Sequence, residues 1–252
     1  MKFLCLPGAY SSATNFKVQL DPFAMECEKT GIVDFVWTQG TVPAKPPPGF
    51  EDYFGPGPLF RFVEFDGIEG FEDIVEKIRD FPDGITAEDT MRRLFGSQSA
   101  ASTERKLCKA LDHLFDVINA DPEIEGILGY SEGATTAASL ILEECRRAEK
   151  HGIPRRIKAA IFLAGWPPLK MENGEVHALL ADECDHVIDI PTCHVVGCHD
   201  PYIHGAMALF NLCEDSTAEL FDHGKGHTVP RDAVTLGELS AAVMRLVERA
   251  EN

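Results

Sequence analysis

Ser131 stands in Gly129-Tyr130-Ser131-Glu132-Gly133, between the apolar run Ile124–Leu128 and a helix-forming segment that starts at Ala134. A strand, a G-x-S-x-G turn and a helix together form a nucleophile elbow, which holds the serine in a strained conformation with its hydroxyl exposed. A serine hydroxyl is a weak nucleophile near neutral pH, so it needs a base in reach and an acid to orient that base. On a strand–elbow–helix scaffold these partners follow in the order Ser, acid, His, on loops beyond later strands. Among nine histidines, His227 best fits the base. It lies in the glycine-rich run Asp222–Pro230, after the last strand candidate and before the last helix, with His223 as runner-up. Asp200 follows the run Thr192–Gly197 and precedes Pro201, which places it at a strand's carboxyl end as the acid. An Asp before Pro also caps helices, so that reading stands beside the first, and Asp222 and Asp185 are weaker candidates for the acid. Acyl transfer develops an oxyanion that wants two backbone N–H donors. Glu132, next to the nucleophile, supplies one; Ala9, or alternatively Tyr10, supplies the other from the Pro7-Gly8 turn.

Other chemistries are weaker. Cys184, His186, Cys193, His194, Cys198 and His199 are dense enough to suggest zinc, but Cys193 and His194 alternate across a strand and no C-x-x-C pair occurs. Thiols and histidines around a strand end are the expectation, with no metal and no cofactor. A formal charge of −18 opposes nucleic acid as a partner, because phosphate binding needs a basic face. Met1–Leu6 is too short an apolar run for a secretion signal, and no stretch is long enough to span a membrane. The eight cysteines therefore read as reduced thiols of a cytoplasmic protein.

The elements that must position these residues alternate between β-rich and helical runs, which predicts a mainly parallel sheet flanked by helices, an α/β class. Strands are predicted at Lys2–Leu6, Val33–Trp37, Ile124–Leu128, Lys158–Leu163, Thr192–Val196 and Ala218–Phe221. Apolar residues at helical spacing occur at Leu107, Leu111, Leu114, Phe115 and Ile118, and at Leu239, Val243, Leu246 and Val247. At 252 residues the chain suits one domain, 1–252. Residues 40–100 break the rhythm. Their Pro/Gly-rich stretches, 41–50 and 53–58, read as unable to form regular elements. Nine aromatic rings (Phe50, Tyr53, Phe54, Phe60, Phe62, Phe65, Phe71, Phe81, Phe95) suggest an inserted lid or the wall of an apolar pocket; a surface excursion with its own small core is the alternative.

Taken together, Phe3–Gly8, the Gly129–Gly133 elbow, His194–Gly197 leading to Asp200-Pro201, and Gly226–Pro230 resemble the fungal serine hydrolase family. That family lies within the α/β-hydrolase superfamily and includes the ovarian-cancer-associated hydrolase group. The resemblance runs through nearly the whole chain, and the Gly55-Pro56 region after Tyr53-Phe54 looks like the family's aromatic insertion. Pro7 departs from the pattern, standing where the family usually carries a histidine. The resemblance implies an α/β-hydrolase fold and cofactor-free hydrolysis of an ester or thioester. Several relatives look like partners of fungal polyketide synthases, which implies release of a polyketide-type acyl chain from a carrier protein in secondary metabolite biosynthesis. A general carboxylesterase and an acyl-transferring or cyclising enzyme are the alternatives. Carrier proteins are usually acidic, so docking one needs a local basic patch, for which Arg92-Arg93, Arg105-Lys106, Arg146-Arg147 and Arg155-Arg156 are candidates.

Overall fold

The computed structural model describes residues 1–46, 54–63, 84–95, 98–99, 101–172, 175–184 and 188–252. In chain order the elements begin with β1 (Lys2–Leu6), α1 (Ala13–Glu28), β2 (Asp34–Trp37), β3 (Val42–Ala44), β4 (Leu59–Arg61), α2 (Ala87–Phe95) and β5 (Gln98–Ser99). They continue with α3 (Ala101–Ala120), β6 (Ile124–Tyr130), α4 (Glu132–His151), β7 (Ala159–Leu163), β8 (Leu169–Glu172) and β9 (Glu175–Ala178). A 3-10 turn at Ala181–Glu183 precedes β10 (Thr192–Val196), α5 (Ile203–Phe210), β11 (Ala218–Asp222) and α6 (Ala233–Glu251).

Strand runs that are apolar on both faces need cover on both sides. They pair as a six-stranded sheet in the order β11-β10-β7-β6-β1-β2, with every neighbouring pair parallel. Alternation divides the core in two. Leu4, Leu6, Ile127 and Phe162 face α3 and α4, while Phe3, Cys5, Ile161, Cys193 and Val195 face α1 and α6. Ser12 caps α1 by accepting the Asn15 N–H, and Asp232 caps α6 by accepting that of Thr235. The expected α/β class is therefore present: a parallel sheet with helices on both faces. No described helix is long and apolar enough to cross a membrane.

The chain winds from β1 toward β2 on one side, and from β6 toward β7, β10 and β11 on the other. The reversal lies between β1 and β6, where open α/β sheets hold their ligands at the carboxyl ends of the strands. The loop after β1 and the elbow after β6 both open onto that crevice.

Two expectations change. The stretch around Pro43 does form a strand: β3 pairs antiparallel with β4, Pro43 opposite Phe60. A two-stranded ladder is all edge, where a proline's missing N–H does no harm. A second antiparallel sheet, β5-β9-β8, adds strands absent from the sequence reading, although Asn173-Gly174 between β8 and β9 is a hairpin signal. Of the insertion's aromatics, Phe62 is buried in the main core and Phe54 packs 5.0 Å from Tyr10. Phe50, Tyr53, Phe65, Phe71 and Phe81 lie outside the described residues, as does the Phe95 side chain.

Candidate active site

β6 is paired with β1 as far as Gly129 and with β7 through Tyr130, and the chain then reverses into α4 at Ser131. Ser131 has φ 52° and ψ −119°, a conformation that L-residues avoid. Its own N–H is held by the Leu163 carbonyl at 2.9 Å, and its side chain does not cap the helix. The flanking glycines are required by contact: a Cβ at Gly133 would sit 2.2 Å from the Leu6 carbonyl oxygen, and one at Gly129 would sit 2.4 Å from Ala134 Cα. The hydroxyl is left for other work.

That hydroxyl meets His227, whose Nε2 lies 3.2 Å from Ser131 Oγ while its Nδ1 lies 2.8 Å from Asp200 Oδ2. Asp200 is 4% exposed, and its other oxygen, Oδ1, accepts the Tyr202 N–H at 2.8 Å. One carboxylate oxygen thus faces the imidazole and the other holds the turn before α5, whose N-cap is Tyr202 and not Asp200. The loops that carry Asp200 and His227 are stitched together. His199 N–H donates to the Lys225 carbonyl at 3.0 Å, and Asp222 Oδ1 accepts both Cys198 N–H and Gly224 N–H. Asp222, a rival for the acid, is thus a loop clasp, and the Gly224 N–H holds its carboxyl below the usual range. Asp185, the other rival, lies outside the described residues.

His223 shares the loop with His227 but is turned inward, and burial pushes its imidazole pKa down. Rings enclose His227: Tyr202 meets it edge-on at 4.9 Å, Tyr130 lies tilted at 5.4 Å, and the Tyr130 hydroxyl donates to the His227 carbonyl at 3.2 Å.

Glu132 opens α4, where the first backbone N–H groups have no intrahelical acceptor. The loop Pro7–Ser11 passes directly beside the elbow, since a Cβ at Gly8 would lie 3.3 Å from Ser131 Cβ. Tyr10 in this loop is left-handed, with φ 57°. The Ser11 N–H is taken by the Phe60 carbonyl at 3.3 Å, which leaves Ala9 and Tyr10 as the donors under consideration.

Of the cysteine–histidine cluster, Cys193 sits in the core and His194 is buried on the opposite face between Phe162 and Phe210. Burial pushes the His194 pKa down to about 3. Cys198 and His199 are exposed, Cys184 donates to the Leu180 carbonyl, and His186 lies outside the described residues. Among the described residues, no group of three or more His, Cys, Asp and Glu side chains is placed to hold a metal ion.

Sequence reasoning missed the Glu132 side chain. Its Oε2 accepts Arg61 Nε at 2.8 Å and lies 2.7 Å from Arg61 Nη2, while Oε1 accepts the Phe62 N–H at 2.7 Å. A carboxylate one residue from the candidate nucleophile is itself a signal, because charge so placed demands a cation.

A family profile described as serine hydrolase (FSH1) matches residues 1–239. The chain is 27% identical over 254 residues to the esterase FPY3 of Fusarium mangiferae, covering 99% of this chain and 98% of that one. In fold it is similar to SOBER1 of Arabidopsis thaliana, with a TM-score of 0.57 at 12% identity, covering 100% of this chain and 99% of the other. It is also similar in fold to acyl-protein thioesterase 2 of Zea mays, with a TM-score of 0.54 at 16% identity, covering 98% and 94%.

Proposed function

The chain belongs to the serine hydrolase (FSH1) family, and we propose that it cleaves a carboxylic ester or thioester through Ser131, His227 and Asp200. The hydrogen-bond relay from Ser131 Oγ through His227 to Asp200 is the observation that supports this reading most. Ser131 Oγ attacks the acyl carbonyl as His227 Nε2 takes its proton, and Asp200 holds the Nδ1–H and steadies the imidazolium. The N–H groups of Glu132 and Ala9 receive the oxyanion. The imidazolium then protonates the departing alcohol or thiol, leaving an acyl-serine. A water, deprotonated by His227, releases the acid and restores the serine.

Within a single 1–252 domain, the 40–100 insertion serves as wall or lid of the acyl pocket. Phe54 against Tyr10 and the pairing of Phe60 with Ser11 favour this, since both lie on the loop beside the nucleophile. Release of a polyketide-type chain from a carrier protein is the narrower form of the reading. It wants unpaired cations, whereas Arg92 is paired to Asp182 and Glu183, Arg93 to Asp89, Arg146 and Arg147 to Glu143, and Arg155 to Asp189. An ester substrate is in keeping with the esterase relative.

Intact-mass measurement tests the proposal, using a fluorophosphonate and matched acyl esters and thioesters, free and carrier-bound, on wild type and Ser131→Ala. Labelling and acid release in wild type alone are expected. Hydrolysis within about tenfold of wild type in Ser131→Ala would sink the mechanism. Products lacking the elements of water would mark cyclisation instead.

A further inference from the structure

Negative charge builds on the substrate's carbonyl oxygen during acyl transfer, next to the backbone of residue 132 in the proposed mechanism. A carboxylate on that same residue opposes the charge unless it is neutralised. Glu132 is neutralised by Arg61 from β4 of the insertion. The two side chains are 12% and 4% exposed, so the pair lies in a poorly solvated place where its charges count.

The same contacts form a continuous brace. Glu132 Oε1 holds the Phe62 N–H, and the Phe62 ring is anchored in the main core. One residue before Arg61, Phe60 exchanges two backbone hydrogen bonds with Ser11, at 3.3 and 3.0 Å. The Arg61 guanidinium lies 5.2 Å from the centre of the Tyr10 ring, and Tyr10 is the residue whose left-handed backbone turns the loop after β1. Starting from the elbow, the path runs Glu132 to Arg61 and Phe62, then Phe60 to Ser11, and back through Tyr10 to Ala9. Its two ends are the residues whose N–H groups receive the oxyanion.

We infer that Glu132 and Arg61 are positioning residues, a buried ion pair that fixes the spacing of the two oxyanion donors and cancels the carboxylate beside them. This rests on the function proposed above. A buried ion pair is poor evidence for stability as such, since desolvation offsets most of the attraction, and its better-attested value is in fixing geometry. Losing one partner is worse than losing both charges, because it leaves a charge buried and alone. The consequence is an asymmetric cycle. Arg61→Met strands a carboxylate next to the developing oxyanion. Glu132→Gln keeps an oxygen for the Phe62 N–H and strands only a cation. The double variant is neutral and keeps that hydrogen bond.

The test compares wild type, Arg61→Met, Glu132→Gln and the double variant, each normalised to fluorophosphonate-titrated sites. It measures kcat and KM on a p-nitrophenyl ester, the affinity of a boronic acid that forms a tetrahedral anion on Ser131, and melting temperature. In Arg61→Met, kcat is expected to fall about 100-fold, the scale of one lost oxyanion donor, with KM within about threefold. Boronate affinity should fall in step, and the double variant should recover about tenfold in kcat over Arg61→Met. Arg61→Met with kcat per titrated site within about twofold of wild type overturns the inference, whatever its melting temperature. A double variant no faster than Arg61→Met, with boronate affinity unmoved, overturns it too. Should Arg61→Met fail to fold, the neutral double variant decides: full boronate affinity with slow turnover counts against the brace. Wild type that is not labelled at Ser131 removes the proposed function itself, and the inference falls with it.

Discussion

Lowering the pH should destabilise this fold through His194, and the size of the effect follows from where that side chain sits. His194 is 1% exposed, packed between Phe162 and Phe210, and its Nε2 lies 3.1 Å from Thr192 Oγ1. Burial holds its pKa at about 3, against an ordinary 6.5. Because the folded value is depressed, the unfolded chain binds one more proton than the folded one between those limits. Stability is therefore complete above pH 6.5 and is lost as pH falls toward 3. Between pH 7 and pH 5 the loss comes to about 2 kcal/mol from this one imidazole. His194→Gln cannot titrate, and whatever it costs in packing is the same at both pH values. Urea unfolding of both proteins at pH 7 and pH 5 is the assay. Wild type should lose about 2 kcal/mol more than the variant over that interval. Two proteins that lose the same amount, within about 0.5 kcal/mol, would refute the reasoning and mean that the imidazole is hydrated or finds a proton acceptor. β10, which carries His194, also delivers Asp200, so acid inactivation should track this unfolding.

Two substitutions probe the relay more directly. Asp200→Asn keeps an oxygen for the Tyr202 N–H but no longer fixes the His227 tautomer, so kcat should fall about 10⁴-fold with the urea midpoint little changed. Tyr130→Phe keeps the ring against His227 and Phe16 but removes the hydrogen bond to the His227 carbonyl, and should lower kcat severalfold, on the scale of about 1 kcal/mol, with KM unchanged in steady-state kinetics.

The inner strands of the central sheet were legible because they are largely apolar on both faces and bounded by turn residues, so β1 and β10 begin and end where the pattern says. β6 outruns its apolar run by two residues because β1 and β7 pair with it right up to the elbow. β3 and β4 were illegible for a physical reason. Three-residue strands carry almost no periodicity, and their pairing is decided by what they pack against. The site divides in the same way. Ser131 and the order of its partners follow from local pattern. The choice between His223 and His227 depends on how one glycine-rich turn rotates two imidazoles, and no spacing encodes that. Arg61 lies 71 residues from Glu132, inside the stretch that reads as irregular.

Part of what ties this site together lies at positions that motif logic leaves free. Tyr10, Ser131 and Ala164 are the non-glycine residues with left-handed backbone among those described, at φ 57°, 52° and 47°. They follow β1, β6 and β7, three adjacent strands, all at the carboxyl edge of the sheet. Each such residue costs on the order of 1–3 kcal/mol and persists only where its surroundings over-determine it. The restraints are identifiable. The Leu163 carbonyl holds Ser131, the Val195 carbonyl holds the Ala164 N–H at 3.0 Å, and Arg61 and Phe54 enclose the Tyr10 ring. Two of these restraints link one strand end to the next, β6 to β7 and β7 to β10. The third comes from the insertion, which is therefore part of the frame that holds the first loop in shape. Removing the Arg61 contact should relax Tyr10 before it disturbs Ser131, whose restraints lie within the sheet.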